Sequence, residues 1–244
     1  MMTNDRISLS LVTHHLNGHH KVQALLDALC LLDAKDRAQF EIIIVDDCSD
    51  EPVIPLCNGL NLKAYRVIDD IPWNQAGSRN LGCFMAESPW ILFFDIDQIP
   101  IGNCIPLILK SIQELEHNCM YYFYVQDFID SNLNKKLDVH PNTFLANTQR
   151  FKTTCMYDED FSGHYGFEDI YLPYVWEFYG GKRLILGNTP LFKDTKFKTK
   201  KLDRSSTLNE ALALNKINGG IKKPTKFIRF SWENQRAVNF EYNN

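Results

Sequence analysis

The residues of this sequence best suited to chemistry are two closely spaced pairs of carboxylates. Asp95 and Asp97 are separated by one residue and directly follow an apolar run. Two carboxylates at that spacing can share a hard divalent cation, directly or through water, and leave its other positions to phosphate oxygens. Glu168 and Asp169 are adjacent, and a positioned carboxylate can take the proton of an attacking hydroxyl. The alternatives are a solvated acidic turn for the first pair and helix capping for the second.

A short apolar run positions the first pair. Trp90 to Phe94 are five consecutive apolar residues, and Pro100 and Gly102 follow soon after the acids. A run without alternation that ends in turn residues predicts a strand buried on both faces of a parallel sheet. The carboxyl end of such a strand opens into the crevice where α/β sheets bind ligands.

Other apolar runs and helical patterns surround this strand in a regular order. Their sequence, β-α-β-β-α-β, predicts an α/β fold with a mostly parallel central sheet flanked by helices. A polar stretch at 130–141 is predicted to be a loop, followed by a strand at 142–146 and a short helix near Arg150. The other predicted strands are 7–12, 40–45, 62–68 and 120–125, and helical spacing covers 22–32, 74–85 and 105–115.

Composition favours one ordinary globular domain. The chain has 244 residues, 45% of them hydrophobic and 23% charged, and this length suits one large domain or a domain with a small appendage. The net charge of -4 argues against a general nucleic-acid binder. No apolar run reaches the roughly 18 residues of a membrane span, and no signal-peptide pattern is present. Seven scattered cysteines without a Cys-x-x-Cys pair predict reduced thiols in the cytoplasm and no zinc site.

Four motifs resemble, in order and spacing, those of GT-A glycosyltransferases of the family-2 type. They are Ile-Val-Asp-Asp-Cys-Ser at 44–49, Asn-Gln-Ala-Gly-Ser-Arg-Asn-Leu-Gly at 74–82, Phe-Asp-Ile-Asp at 94–97 and Gly-Phe-Glu-Asp at 166–169. The last resembles the Gly-x-Glu-Asp element of galactosyl- and N-acetylgalactosaminyl-transferase domains and of chondroitin-type polymerases. The resemblance covers about residues 7–180. It implies a Rossmann-like nucleotide-diphospho-sugar transferase fold, with one domain over 1–244, a donor half at about 1–102, an acceptor half at about 103–190 and a basic lid or tail at about 191–244.

The resemblance implies that Mn²⁺ or Mg²⁺ accompanies a UDP-sugar donor. Asp97 would hold the cation, and Asp95 would contact the same ion or the donor ribose. Many relatives supply a further ligand from a later histidine, but no histidine follows His164 here. Asp194 stands near the expected place and could substitute, since carboxylates suit these ions. Alternatively, the donor phosphates and water complete the coordination.

Four residues are expected to contact the nucleotide by the same resemblance. Asp46 or Asp47 would accept the imide N–H of uracil, Arg79 would lie near the base and the phosphates, and Thr13 would touch the uridine. Two of these assignments have structural alternatives: the segment 47–49 could be an Asx-type turn, and Arg79 a surface helix residue.

The second pair is expected to act on the acceptor. By resemblance Asp169 is the general base of an inverting transfer, and Glu168 holds acceptor hydroxyls. Tyr165, Phe167 and Trp176 are candidate stacking surfaces for a sugar ring, although core packing is the commoner role of aromatic residues.

The C-terminal region is basic. Lysines between 193 and 204 suggest a lid over the diphosphate, and 216–229 mixes basic and apolar residues. This mixture raises the alternative of peripheral contact with an anionic membrane face, where lipid-linked acceptors reside. The sequence thus predicts a cytoplasmic enzyme that transfers a sugar from UDP to a glycan or lipid-linked saccharide in polysaccharide biosynthesis. The alternatives are a sugar nucleotidyltransferase and a catalytically impaired GT-A binding protein.

Overall fold

The computed structural model describes residues 7–52, 59–126, 137–187, 192–194 and 203–235. In these residues one mixed sheet runs through the molecule in the order β10-β3-β2-β1-β4-β7-β6-β9-β5, with β8 paired to β6. The strands are β1 (Leu9–His15), β2 (Phe40–Asp46), β3 (Asn61–Val67), β4 (Trp90–Phe93), β5 (Gln98–Pro100), β6 (Cys119–Gln126), β7 (Leu137–Asn147), β8 (Lys182–Ile185), β9 (Phe192–Asp194) and β10 (Trp232–Gln235).

Helices cover both faces of the sheet, as the sequence pattern predicts. The described helices are α1 (His19–Cys30), α2 (Ala34–Arg37), α3 (Gln75–Met85), α4 (Cys104–Ser111), α5 (Thr148–Thr154), α6 (Glu168–Phe178) and α7 (Thr207–Asn218), with a short 3-10 helix at Glu159–Phe161. None of the helices in the described ranges is both long and apolar enough to cross a membrane. The described cysteines form no disulfide.

The first four strands form the parallel part of the sheet. β1 pairs in parallel with β2 on one side and β4 on the other, and β3 continues beyond β2. Alternate side chains enter two separate cores: Ile43 and Phe93 pack on one face, and Ile42 and Leu92 on the other. Burial on both faces explains why these strands lack polar alternation in the sequence.

Helix α3 lies directly against β1 because it carries a glycine at the contact. A Cβ on Gly82 would come within 2.4 Å of the Val12 Cγ1 atom. Because α3 and β1 approach closely there, the buried side of α3 lies near the residues at the end of β1. The glycine of the Arg-Asn-x-Gly motif therefore has a packing role.

The acceptor-side half differs from the expected layout at one strand. The loop predicted at 130–141 overlaps β7, which begins at Leu137, while 127–136 lies outside the described residues. β7 pairs antiparallel with β4 and β6, and its register with β6 shifts between the pairs Tyr124–Val139 and Tyr122–Phe144. Pro141 falls within this irregular stretch, where a proline is tolerated in a strand.

The C-terminal region is part of the domain where it is described. Helix α7 is tied to the 3-10 helix by Lys216, whose Nζ lies 2.9 Å from Asp158 and 2.8 Å from Asp160. β10 then adds an antiparallel edge to β3. The proposed lid residues between 195 and 202 lie outside the described residues.

Candidate active site

A cavity of about 1060 Å³ opens at the carboxyl ends of β1, β2 and β4 and faces the first turn of α6. Strand order reverses around β1, and a crevice at such a switch point is the usual ligand site of an open α/β sheet. Both carboxylate pairs predicted from the sequence line this one cavity. Its acidic lining residues are Asp47, Asp50, Asp70, Asp95, Asp97, Glu168 and Asp169.

Arg79 of α3 lies beneath the two carboxylate pairs and connects them. Its Nη2 donates to Asp95 Oδ1 at 2.5 Å, and its Nη1 lies 3.5 Å from Glu168 Oε1. The side chain is 1% exposed and stacks over the ring of Tyr157. Arg79 is thus a buried residue that contacts both acids, so the alternative of a surface helix residue is wrong. Its expected place near the base and the phosphates stays a prediction.

Asp95 is held ionised at the floor of the cavity. Burial alone would raise its pKa, but the guanidinium of Arg79 outweighs that effect and holds the pKa below its usual range. The Nε2 of His140 lies 3.7 Å from Asp95 Oδ2. His140 comes from the irregular stretch of β7, and such irregularities commonly aim side chains into active sites.

Asp97 is more exposed and faces a buried cation. Its Oδ2 lies 3.8 Å from the Nζ of Lys21, whose side chain is 5% exposed. β9 pairs with β5 so that Asp194 is opposite Gln98, the residue after Asp97, although the Asp194 side chain lies outside the described part. Among the described residues, no three His, Cys, Asp or Glu side chains cluster as a metal site.

The two adjacent aspartates at the end of β2 have different surroundings. Asp46 pairs with Arg66 at 2.6 Å and accepts the Ser49 N–H, so it shapes the turn that follows. Asp47 lines the cavity and accepts from Ser78 Oγ at 2.8 Å and from Asn74 Nδ2 at 3.2 Å.

Because Asp47 lines the cavity and Asp46 does not, Asp47 is the candidate for hydrogen bonding to a nucleotide base. Burial raises the pKa of Asp47 to about 6, despite the hydrogen bonds from Ser78 and Asn74. Its carboxyl therefore changes charge close to neutral pH. Asp46, turned to Arg66, does not line the cavity.

The end of β1 presents a histidine to the cavity. Thr13 is fully buried and is not among the lining residues, so the structure gives no support to its expected uridine contact. His14 does line the cavity, and its Nδ1 is buried without a hydrogen-bond partner. Burial, with Arg79 nearby, lowers the pKa of His14 to about 3, which keeps the imidazole neutral.

Glu168 and Asp169 occupy the first turn of α6. Burial, together with the neighbouring Asp169 charge, raises the pKa of Glu168 to about 7, and Arg79 partly offsets this. Burial also raises the pKa of Asp169, whose Oδ2 accepts from Asn142 Nδ2 at 3.4 Å. A carboxylate whose pKa is moved towards neutral is better matched to proton abstraction than an exposed one.

The loop before α6 turns sharply and is held from α7. Gly166 and Phe167 have φ angles of 78° and 71°, in the left-handed region that favours glycine. The Nδ2 of Asn209 lies 3.0, 2.9 and 2.7 Å from the carbonyl oxygens of Phe161, His164 and Gly166. This single amide fixes the loop that carries the acidic pair.

Aromatic residues form one part of the cavity rim. The rings of Trp73 and Tyr165 are 4.7 Å apart, and the guanidinium of Arg204 lies over both. Phe167 also lines the cavity, as expected of a stacking surface. Trp176 is fully buried in the core, so its expected role in stacking is wrong.

Several residues of the site could not be recognised from the sequence. Lys21, His140, Asn142 and Asn209 stand in no motif, and each acquires its place only through a partner far along the chain. A weak signal existed for Lys21, because it stands four residues before Leu25 on the buried, apolar face of α1.

The chain is similar to known proteins in sequence and in fold. The sequence model described as glycosyl transferase family 2 matches residues 10–168. A curated protein of Haemophilus influenzae, named an uncharacterized glycosyltransferase, is 29% identical over 106 residues, which are 43% of this chain and 35% of that protein. The chain thus spans about a third of the curated relative that it matches.

Solved structures show the same fold. Staphylococcus aureus TarS 1-349 in complex with UDP-GlcNAc superposes with a TM-score of 0.62 at 16% identity, over 79% of this chain and 60% of that one. GalNAc-T7 with UDP, GalNAc and Mn²⁺ superposes with a TM-score of 0.58 at 14% identity, over 78% and 44%. The chain therefore has a GT-A glycosyltransferase fold and belongs to glycosyltransferase family 2.

Proposed function

We propose that this protein transfers a sugar from a UDP-sugar to a hydroxyl of a glycan or lipid-linked saccharide. The observation that carries the proposal is that Arg79 joins Asp95 and Glu168 beneath one cavity. A donor group and an acceptor group must meet at one carbon for transfer, and this arrangement supplies acids for both. TarS bound to UDP-GlcNAc and GalNAc-T7 bound to UDP support a uridine donor.

The donor occupies the β-strand side of the cavity. Asp47 accepts the uracil imide N–H, since it lines the cavity while Asp46 is engaged by Arg66. Asp95, held ionised by Arg79, accepts from a ribose hydroxyl or shares a cation with Asp97. The diphosphate then lies beside Asp97, at the floor of the crevice.

A Mn²⁺ or Mg²⁺ ion fits these residues. Hard divalent cations often use one or two carboxylates and leave their remaining positions to water and substrate phosphates. Asp97 provides such an oxygen ligand. Asp95 is a further candidate, and so is Asp194, which pairs with Gln98 across β5 and β9. When bound, the ion would neutralise the charge that gathers on the departing diphosphate.

The acceptor occupies the α6 side. Its hydroxyl attacks the anomeric carbon as the bond to the β-phosphate oxygen breaks, and the electron pair leaves with UDP. Asp169 takes the hydroxyl proton, and Asn142 and the first turn of α6 keep its carboxylate in place. Direct displacement of this kind inverts the anomeric configuration. Glu168, anchored by Arg79, positions neighbouring acceptor hydroxyls.

A donor screen tests the proposal. The purified protein is incubated with Mn²⁺ and UDP-, GDP-, CMP- and dTDP-sugars, and release of the nucleotide is measured with and without candidate saccharide acceptors. We expect that UDP is the only nucleotide released and that Asp97→Ala abolishes its release. Turnover of another nucleotide class in preference to UDP would contradict the proposed donor.

A further inference from the structure

Lys21 is a buried cation placed at the floor of the cavity. It lies in the first turn of α1, its side chain is 5% exposed, and its Nζ is 3.8 Å from Asp97 Oδ2. Placing an ammonium group out of water is costly unless other charges or hydrogen bonds compensate for it. Seven acids line the cavity around it, against one lysine and one arginine.

An acidic cavity is a poor environment for a diphosphate. Among its lining residues, the lysine and the arginine are Lys21 and Arg204. Arg204 lies over the rings of Trp73 and Tyr165 at the rim. Lys21, in contrast, is at the floor beside the very carboxylate expected to stand next to the phosphates.

The position of Lys21 in its helix strengthens its effect. Gly18, His20 and Lys21 all line the cavity, so the amino-terminal end of α1 faces it. The exposed N–H groups and dipole of a helix start favour anions there. An ammonium on a flexible four-carbon stem can shift between a carboxylate and a phosphate oxygen within a few ångströms.

We propose that Lys21 is a built-in cation of the donor site, which binds the diphosphate directly and exchanges Asp97 for phosphate oxygen when the donor enters. This inference rests on the proposed function, since it takes the bound anion to be the diphosphate of a uridine nucleotide. It assigns to this chain a phosphate contact that operates without any divalent ion. By neutralising part of the negative charge of the diphosphate, Lys21 would also leave less of it for the cation at Asp97 to neutralise.

The test compares uridine with UDP in EDTA, by calorimetry at low salt. Wild-type protein should bind UDP more tightly than uridine. Lys21→Met, which keeps most of the stem and loses the charge, should weaken UDP binding by at least about tenfold, as expected when a charged hydrogen bond is lost. Uridine binding should be unchanged. Lys110→Met, an exposed lysine at the end of α4, is the matched control and should behave as wild type.

Each result distinguishes the possibilities. If Lys21→Met weakens uridine and UDP equally, or neither, Lys21 is only a structural partner of Asp97 and the inference is wrong. The inference also fails if wild-type protein in EDTA binds the two ligands equally. If wild-type protein binds neither ligand, even with Mn²⁺, the proposed uridine donor itself fails. Should Lys21→Met not fold, Lys21→Gln, which keeps a polar end, is measured in the same way.

Discussion

Arg79 Nη2 lies 2.5 Å from Asp95 Oδ1, and this contact links the end of β4 to the helix that packs on β1. The same guanidinium reaches Glu168 at 3.5 Å. One buried side chain thus sets the relative position of Asp95 and Glu168. Burial and nearby charges, including that of Arg79, shift the pKa values of Asp95 and Glu168. Removing Arg79 should therefore change both pKa values.

The first prediction is that Arg79→Met is strongly destabilising. Loss of one partner leaves buried carboxylates uncompensated, and such changes typically cost about 3–5 kcal/mol of unfolding free energy. Urea unfolding measures this. Arg183→Met is the matched control, because Arg183 pairs with Glu177 at 2.7 Å in an exposed position, and exposed pairs contribute about 0–1 kcal/mol. Equal losses in the two variants would mean that Arg79 does not hold the acids.

The second prediction concerns base recognition by Asp47. Its pKa is raised to about 6, mainly by burial, so the carboxylate that accepts the uracil N–H forms as pH rises through that value. Affinity for a UDP-sugar should therefore increase from pH 5 to pH 7. A UDP-sugar is the right probe, since its diphosphate lacks the terminal phosphate group that titrates near pH 6.

Two further measurements test this role of Asp47. The wild type should prefer UDP to CDP by about 1–3 kcal/mol, because cytosine would leave the carboxylate unpaired. Asp47→Asn, whose amide does not titrate, should remove the pH dependence of the affinity for a UDP-sugar. It should also reduce the difference between the affinities for UDP and CDP. Asp46→Asn should instead lower stability through Arg66 and keep the preference for uracil. A preference that follows Asp46 would reverse the assignment.

The third prediction is that Asn209 stabilises the loop of the acidic pair. Asn209→Ala removes the amide that lies near three carbonyl groups, and a buried group left without a partner typically costs about 1–3 kcal/mol. Thermal unfolding should show the loss. Asn215→Ala, an exposed position on the same helix, should change stability by less than about 0.5 kcal/mol. Similar melting temperatures for the two variants would dismiss a role for Asn209.

The fourth prediction separates metal binding from general charge. Asp97→Ala should abolish the gain in UDP affinity that Mn²⁺ provides and should leave the fold intact, because Asp97 is partly exposed at a strand end. Calorimetry with and without Mn²⁺ measures the gain. Asp70→Ala, which removes an exposed carboxylate from the same cavity, should retain it. Loss of the gain in both variants would indicate only a general electrostatic effect.

The donor half of the fold was predictable because its strands are buried on both faces. Continuous apolar runs such as Phe40–Val45 and Trp90–Phe94 carry that signal by themselves, and these two strands end within one residue of the predicted positions. β7 was less predictable, because Pro141 is typical of a loop. Its place in the strand depends on the irregular register with β6, which only the paired strands define.

The site was predictable in its acids and not in their partners. Asp95, Asp97, Glu168 and Asp169 stand in short local patterns, and all of them line the cavity. The choice between Asp46 and Asp47 depends on Arg66, which lies on the neighbouring strand. Pairing between residues far apart in the chain leaves no local pattern, so the sequence could not resolve it.

Asp169→Asn tests whether one cavity joins a donor site to a general base. Donor binding and thermal stability should remain close to normal, because the amide fills the same space and loses at most about 1 kcal/mol of charge–dipole stabilisation. Sugar transfer should fall by at least about a hundredfold, since the proton acceptor is gone. Asp160→Asn is the control, because Asp160 pairs with Lys216 and Arg229 outside this cavity.

The measurement is therefore the rate of sugar transfer at saturating donor, with the UDP affinity and melting temperature of the same preparations. We expect normal affinity, normal melting and a rate at least about a hundredfold lower in Asp169→Asn alone. A folded Asp169→Asn protein that transfers sugar at the wild-type rate would contradict this expectation. The base would then have to be Glu168, since Asp158 and Asp160 are held by Lys216 away from the cavity.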